Sequence, residues 1–135
     1  MRFLDTNILL YSISDDPKEV AKRNIAGALL EQHDNALSVQ VLQEFYVQAT
    51  RSARANALPH DIAVRLIRSW LRFPVQDITV AIVSDAFTIK VEFGLSYWDA
   101  AIVAAARALG CEEVISEDMS HGRRIDGVVI TNPFK

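Results

Sequence analysis

Arg2-Phe3-Leu4-Asp5-Thr6-Asn7-Ile8-Leu9-Leu10 is the stretch on which the fold turns. A short apolar run leads directly into a carboxylate, with two small hydrogen-bonding side chains beside it. In parallel α/β sheets, ligands collect where the carboxyl ends of strands give way to loops and helix starts. Asp5 therefore belongs at a functional sheet edge if the remaining chain can build such a sheet. It can: Ala36 to Val39, Val75 to Ile78, Glu113 to Ser116 and Val128 to Thr131 also read as strands. Between them, Pro17 to His33, Val39 to Ala55, Pro59 to Phe73, Val80 to Phe93 and Tyr97 to Leu109 carry apolar residues at three- and four-residue spacing, the signature of helices. Asp16-Pro17 and Pro59 mark helix starts, and Gly94 and Gly110 mark helix ends. Alternating strands and helices predict an α/β fold, a three-layer sandwich whose central, mostly parallel sheet has four to five strands.

The chain has 135 residues, half of them hydrophobic, which is enough to build a core without covalent staples. No repeat, low-complexity tract or linker rich in Pro, Gly or Ser divides it, so residues 1–135 read as one domain. The single cysteine, Cys111, excludes an internal disulfide and reads as a helix-exit or core residue. The N-terminal apolar run is interrupted by Asp5, Thr6 and Asn7 and lacks a cleavage site, and no apolar stretch approaches the roughly 20 residues that cross a bilayer. A soluble, cytoplasmic protein is expected. A net charge of −3 argues against nucleic-acid binding through the whole surface. Arg51, Arg54, Arg65, Arg68 and Arg72 nevertheless fall in one stretch; the reading favoured is that they solvate a helical face.

Four acids stand where strands end or helices begin. Asp5 fits either a functional carboxylate or a helix cap. Glu44 lies in the early turns of the helix after the second strand, where an acid also suits the helix dipole. Asp99 follows Ser96 by three residues, as in a capping box. Glu117 and Asp118 compete for the fourth role; Asp118 is preferred because it shares a side of an extended segment with Ser116. Taken singly, each has a structural alternative. Together within a few ångströms they would repel, raising one another's pKa and costing on the order of several kcal/mol unless a cation is bound. An oxygen-only donor set suits Mg²⁺ or Mn²⁺. His33, His60 and His121 lack zinc-ligand spacing, and there is no Gly-rich phosphate loop. Tyr11, Phe45, Phe87 and Phe93 read as core or dimer-contact residues.

The ordered segments Phe3-Leu4-Asp5-Thr6-Asn7-Ile8-Leu9, Ser38-Val39-Gln40-Val41-Leu42-Gln43-Glu44-Phe45, Ser96-Tyr97-Trp98-Asp99-Ala100 and Ser116-Glu117-Asp118-Met119 resemble those of PIN domains, in particular the VapC toxins of bacterial type II toxin–antitoxin pairs. The closing stretch from His121-Gly122 to Asn132-Pro133-Phe134 resembles the ending of such toxins. The resemblance implies a Mg²⁺-dependent endoribonuclease in which Asp5, Glu44, Asp99 and Asp118 bind metal, with Thr6, Asn7 and Ser116 in support. Ser116 stands where many relatives carry Thr, and it keeps the hydroxyl. A homodimer and a cognate antitoxin that blocks the site are also implied. Asp5 and Asp99 are the preferred direct ligands; Glu44 and Asp118 would bind directly or through water, and one of them would position the nucleophile.

Two other classes share these features. A non-catalytic module of the same fold could bind a partner or nucleic acid, although all four acids are retained. A phosphoacceptor receiver or phosphatase also places Asp at strand ends, but the early acid pair and the second Asp of the phosphatase motif are missing. The RNA target and the antitoxin are not legible.

Overall fold

A computed structural model describes residues 1–135. Six strands, β1 (Arg2–Leu4), β2 (Asn35–Ser38), β3 (Val75–Gln76), β4 (Glu113–Ile115), β5 (Arg124–Ile125) and β6 (Val128–Thr131), form one sheet in the order β3-β2-β1-β4-β6-β5. All neighbours are parallel except β5 and β6. Six α-helices connect them: α1 (Thr6–Ser12), α2 (Val20–Leu30), α3 (Val39–Thr50), α4 (His60–Trp70), α5 (Val80–Phe93) and α6 (Tyr97–Ala108).

From β1 the chain steps through β2 to β3 on one side, then returns through α5 and α6 to β4 on the other side of β1. Right-handed crossovers in opposite directions place their helices on opposite faces, which gives the three layers. The sheet core, including Phe3, Leu4, Leu37, Val114 and Ile130, is almost fully buried and belongs to one cluster of 30 apolar residues that also takes in the helix faces. In α6 every residue from Ala100 to Ala106 is buried. Small side chains let that helix lie close to the strands, so its N-terminus comes to the sheet edge.

The expected elements are present, and the differences have local causes. The first helical stretch splits into a 3-10 turn (Pro17–Glu19), capped by Asp16, and α2. The next helix stops at Thr50 rather than Ala55, because Arg51 adopts extended ψ and Asn56 a left-handed φ of 58°. Residues 6–12 form a full helix where the sequence suggested only a turn. The sheet has six strands rather than four to five. The extra strand, β5, is two residues long and is made by a hairpin in which Asp126 (φ 51°) and Gly127 (φ 86°) both occupy the left-handed region. That is the geometry of the two-residue turn that Asp-Gly favours.

Candidate active site

The strand order reverses at β1, between β2 and β4, and this switch point is where open α/β sheets hold ligands. Leu4 pairs with Ile115, and the Asp5 amide donates to the Ile115 carbonyl at 3.0 Å, so the residues that follow the two strands lie side by side. Asp5 and Ser116 meet there. One Asp5 oxygen accepts from the Thr6 amide at 2.7 Å and the other from the Ser116 hydroxyl at 2.7 Å. Asp5 is thus a helix cap and a buried carboxylate at once. Burial, with smaller contributions from the charges of Glu44 and Asp99, outweighs these hydrogen bonds and raises its pKa to about 6.

The other acids reach this point from separate elements. Glu44, on α3, accepts from the Thr6 hydroxyl at 3.0 Å and the Gln40 amide at 3.3 Å, both through Oε1, leaving Oε2 without a protein hydrogen bond. Gln40, buried, also donates to the Trp98 carbonyl at 3.3 Å and so ties α3 to the start of α6. It was not singled out in the sequence, although its position one turn before Glu44 puts both on one helix face. Asp99 is half-buried at the N-terminus of α6, beneath the Ser96 cap. Its pKa is raised by desolvation, the Ser96 hydrogen bond opposes, and the charge of Asp118 adds to the rise.

After β4 the chain bends at residues 117–119 instead of continuing extended, so the shared strand side expected for Ser116 and Asp118 is not the reason they cooperate. A hydrogen-bonded loop joins them. Ser116 Oγ accepts from the Asp118 amide at 3.2 Å, and the Asn7 side-chain amide donates to Asp118 Oδ2 at 2.9 Å and to Ser116 Oγ at 3.3 Å. Glu117 turns elsewhere, to the Lys22 ammonium and the Tyr11 hydroxyl, each at 2.5 Å. Desolvation opposes, but these two partners hold its carboxyl below the usual range. Asp5 thus lies under the charges of Glu44 and Asp99, Asp99 under that of Asp118, and Ser116 bridges Asp5 to Asp118, whereas Glu117 is held in a separate ion pair.

Beside Asp118 lies a cleft of about 480 Å³, bounded by Asn7, Tyr11, Gln48, Arg51, Arg54 and Asp118 among others. Arg51 and Arg54 consequently differ from the other arginines of the basic stretch. Arg72 is structural, bonded to the Leu30 carbonyl at 2.7 Å and stacked over Phe73, while Arg65 and Arg68 are exposed on α4 and do not line the cleft. Cys111 is buried just past α6, and burial pushes its thiol up to about 11, unsuited to a nucleophilic thiolate.

No three side chains among His, Cys, Asp and Glu converge closely enough to enclose an ion. The donors still fit a hard cation. They are all oxygens, Asp5 is destabilised in its ionised form chiefly by desolvation and further by the charges of Glu44 and Asp99, and Mg²⁺ typically takes one or two carboxylates while keeping several waters.

Doubly wound parallel sheets with oxygen donors gathered where strand order reverses form a recognisable class, and fold and site together put the chain in it. Comparison with known families narrows this: residues 2–126 match the PIN domain, and the chain belongs to that family. The phosphoacceptor alternative is thereby left without support. Several solved structures share the fold. One is a toxin–antitoxin complex from Klebsiella pneumoniae, whose matching chain is 24% identical, with 98% of each chain covered and a TM-score of 0.73. FitAcB from Neisseria gonorrhoeae is 19% identical over 99% of both chains, at a TM-score of 0.71. A VapC toxin of Mycobacterium tuberculosis, described as cleaving the sarcin–ricin loop, is 20% identical over 87% of this chain and 92% of its own, at a TM-score of 0.68. Likeness at these identities is a likeness of fold. Among curated proteins no match is found.

Proposed function

We propose that this protein is an endoribonuclease dependent on Mg²⁺, with Mn²⁺ as a substitute, and that it is the cytoplasmic toxin of a toxin–antitoxin pair. The observation that carries the reading is Asp5: a buried carboxylate at the switch point, under the charge of Glu44 and Asp99, in a fold shared with solved toxin–antitoxin proteins. That no helix is long and apolar enough to cross a membrane is compatible with the cytoplasmic assignment.

Asp5 and Asp99 would hold the cation directly, with Glu44 and Asp118 contributing directly or through water. When bound, it would supply charge stabilisation at the scissile phosphate and make a water easier to ionise. The chain's own groups prepare that site. Thr6 and Ser116 orient both oxygens of Asp5. Asn7 and Ser116 anchor Asp118, and Gln40 with Thr6 holds Glu44 by one oxygen, so that Oε2 is available to orient the attacking water for in-line displacement.

The protein is further read as a homodimer. Val80, Phe87 and Val91 are 86%, 57% and 83% exposed and fall on one line of α5, opposite the buried Ile82, Ala86 and Ile89. A cognate antitoxin is the expected inhibitor, by analogy with the complexes above.

Cleavage of a mixed RNA pool, with and without Mg²⁺, tests the function. Wild type should cut only with the ion, and Asp5→Asn and Asp99→Asn should each lose more than about 100-fold, beyond the 10- to 100-fold typical of groups that merely support metal ligands. A folded wild type that binds Mg²⁺ but cuts no RNA would instead be the non-catalytic binding module.

A further inference from the structure

One stripe of α3 runs past the acids. Gln40, Glu44 and Gln48 recur every fourth residue, and Arg51 follows just beyond the helix end, so the four lie along one line that runs from the buried Gln40 out to the exposed Gln48 and Arg51. Two depressions meet on this stripe. The cleft beside Asp118 includes Gln48, Arg51 and Arg54; a smaller one, of about 290 Å³, is bounded by Gln40, Gln43, Glu44, Val47, Gln48 and Trp98. Gln48 is common to both, and the acids Glu44 and Asp118 lie one in each.

The ends of the stripe differ in chemistry. At one end Arg51 and Arg54 enter none of the molecule's three ion pairs, which join the N-terminal amine to Asp34, Lys22 to Glu117 and Arg107 to Asp126. At the other end Trp98, immediately before Asp99, is 63% exposed. Guanidinium groups match phosphate oxygens in pairs, and an exposed indole offers a stacking face to any unpaired base.

We propose that this stripe is the binding track for single-stranded RNA, with backbone phosphate held by Arg51 and Arg54, a base stacked on Trp98, and the scissile phosphate between them beside Glu44 and Asp118. The proposal rests on the ribonuclease reading and adds the path of the strand. The exposed amides of Gln43 and Gln48, each with donors and an acceptor, are the groups that face base edges and set preference along it. A single strand is specified because bases inside a duplex cannot stack on a side chain. An apolar depression lined by Val39, Leu42, Tyr46, Val47 and Ile67 adjoins the smaller one and makes an amphipathic peptide helix the competing occupant, but the stripe itself is polar, with Val47 and Trp98 the only apolar side chains lining the smaller depression. Glu19, Glu117 and Asp118 line the same cleft as the arginines, and with Glu117 paired to Lys22 the two arginines balance the remaining carboxylates and supply the cationic contacts for phosphate.

The test uses the intact chain carrying Asp5→Asn, so that RNA is bound but not cut, and a labelled single-stranded RNA of mixed sequence titrated across a salt series. Arg51→Gln with Arg54→Gln should weaken binding and flatten the plot of log K against log salt by about 1.4, at roughly 0.7 per phosphate contact on a single strand. Arg51→Lys with Arg54→Lys should keep the slope, since the charges remain. Trp98→Ala should weaken binding at least about fivefold with the slope unchanged. In the parent, RNA should quench the emission of Trp98, the exposed member of a pair whose other tryptophan, Trp70, is buried. Unchanged affinity and slope in the folded double-arginine variant, or equal affinity for duplex RNA, overturns the track and leaves the depressions to a protein partner. If the arginine variants made in the active chain cut RNA with unaltered KM, the track fails while the nuclease stands; if wild type neither binds nor cuts RNA, both fail.

Discussion

Ionising Asp5 is unfavourable in the folded, ion-free protein because burial removes water from the carboxylate and two neighbouring acids oppose its charge. Its folded pKa of about 6 lies above the unfolded value near 3.8, so its contribution to stability is fully present below about pH 4 and is lost as pH rises through about 6. At pH 7 that loss amounts to about 3 kcal/mol at most. Asp5→Asn keeps the shape without the charge. Without divalent ions, the variant should therefore unfold at a higher temperature than wild type at pH 7, and the advantage should shrink towards pH 4. Thermal denaturation with a chelator present measures this; a variant less stable than wild type at pH 7 and equal to it at pH 4 would contradict the electrostatic account. Asp5, Asp99 and Asp118 stand out in the sequence because each follows a strand or opens a helix, whereas Glu44, in the second turn of α3, is singled out by the resemblance to PIN domains. The choice between Glu117 and Asp118 could not be made on sound grounds, because it depends on Lys22 and Tyr11, which come from distant positions and draw Glu117 away.

Elements in this fold are defined as much by their ends as by their faces. Ser38, Thr79 and Ser96 each accept a hydrogen bond from a backbone amide three residues on, which starts α3, α5 and α6 at defined points. At the other end of α5, Gly94 takes φ 68° and returns its amide to the Lys90 carbonyl at 2.9 Å. A Cβ at Gly94 would meet nothing within 4 Å, so Gly94→Ala isolates the backbone term. It should lower stability by roughly 1–2 kcal/mol, the strain of the left-handed conformation in a residue with a side chain, and denaturant titration reads it. A larger loss would mean that the turn into α6, and with it the Ser96 cap above Asp99, had shifted. The helix ends at Gly94 and Gly110 were legible because glycine past an apolar periodic run has few other uses. The hairpin at Asp126-Gly127 carries a strong turn dipeptide, but with only two residues β5 offers no alternation to read.

For the whole molecule, the return of the chain from β3 to β4 leaves α5 with one face on α6 and the other in water. In the proposed homodimer, Val80 and Val91 on that outer face, with Phe87, whose ring also packs against Tyr97 of α6, would form the seam with a second copy. Val91→Glu should leave the monomer folded, since Val91 is 83% exposed, and should convert a dimeric sedimentation coefficient to a monomeric one. A dimer that persists would move the interface elsewhere.

The linear sequence determined the alternation of short strands with longer helices, most element boundaries to within a few residues, and the placing of Asp5, Asp99 and Asp118 at strand or helix ends, because periodicity, caps and strand-end carboxylates are local in the chain. Tertiary structure alone decided which strands neighbour one another, and so which acids share a site. The reversal of strand order at β1 sets Asp5 beside Ser116 across 111 residues of sequence. It also decided that Arg51 and Arg54 face the acid-lined cleft while Arg72 caps a distant carbonyl. Such distinctions depend on how helices pack across a sheet, and packing joins residues whose separation in the chain carries no signal of their contact.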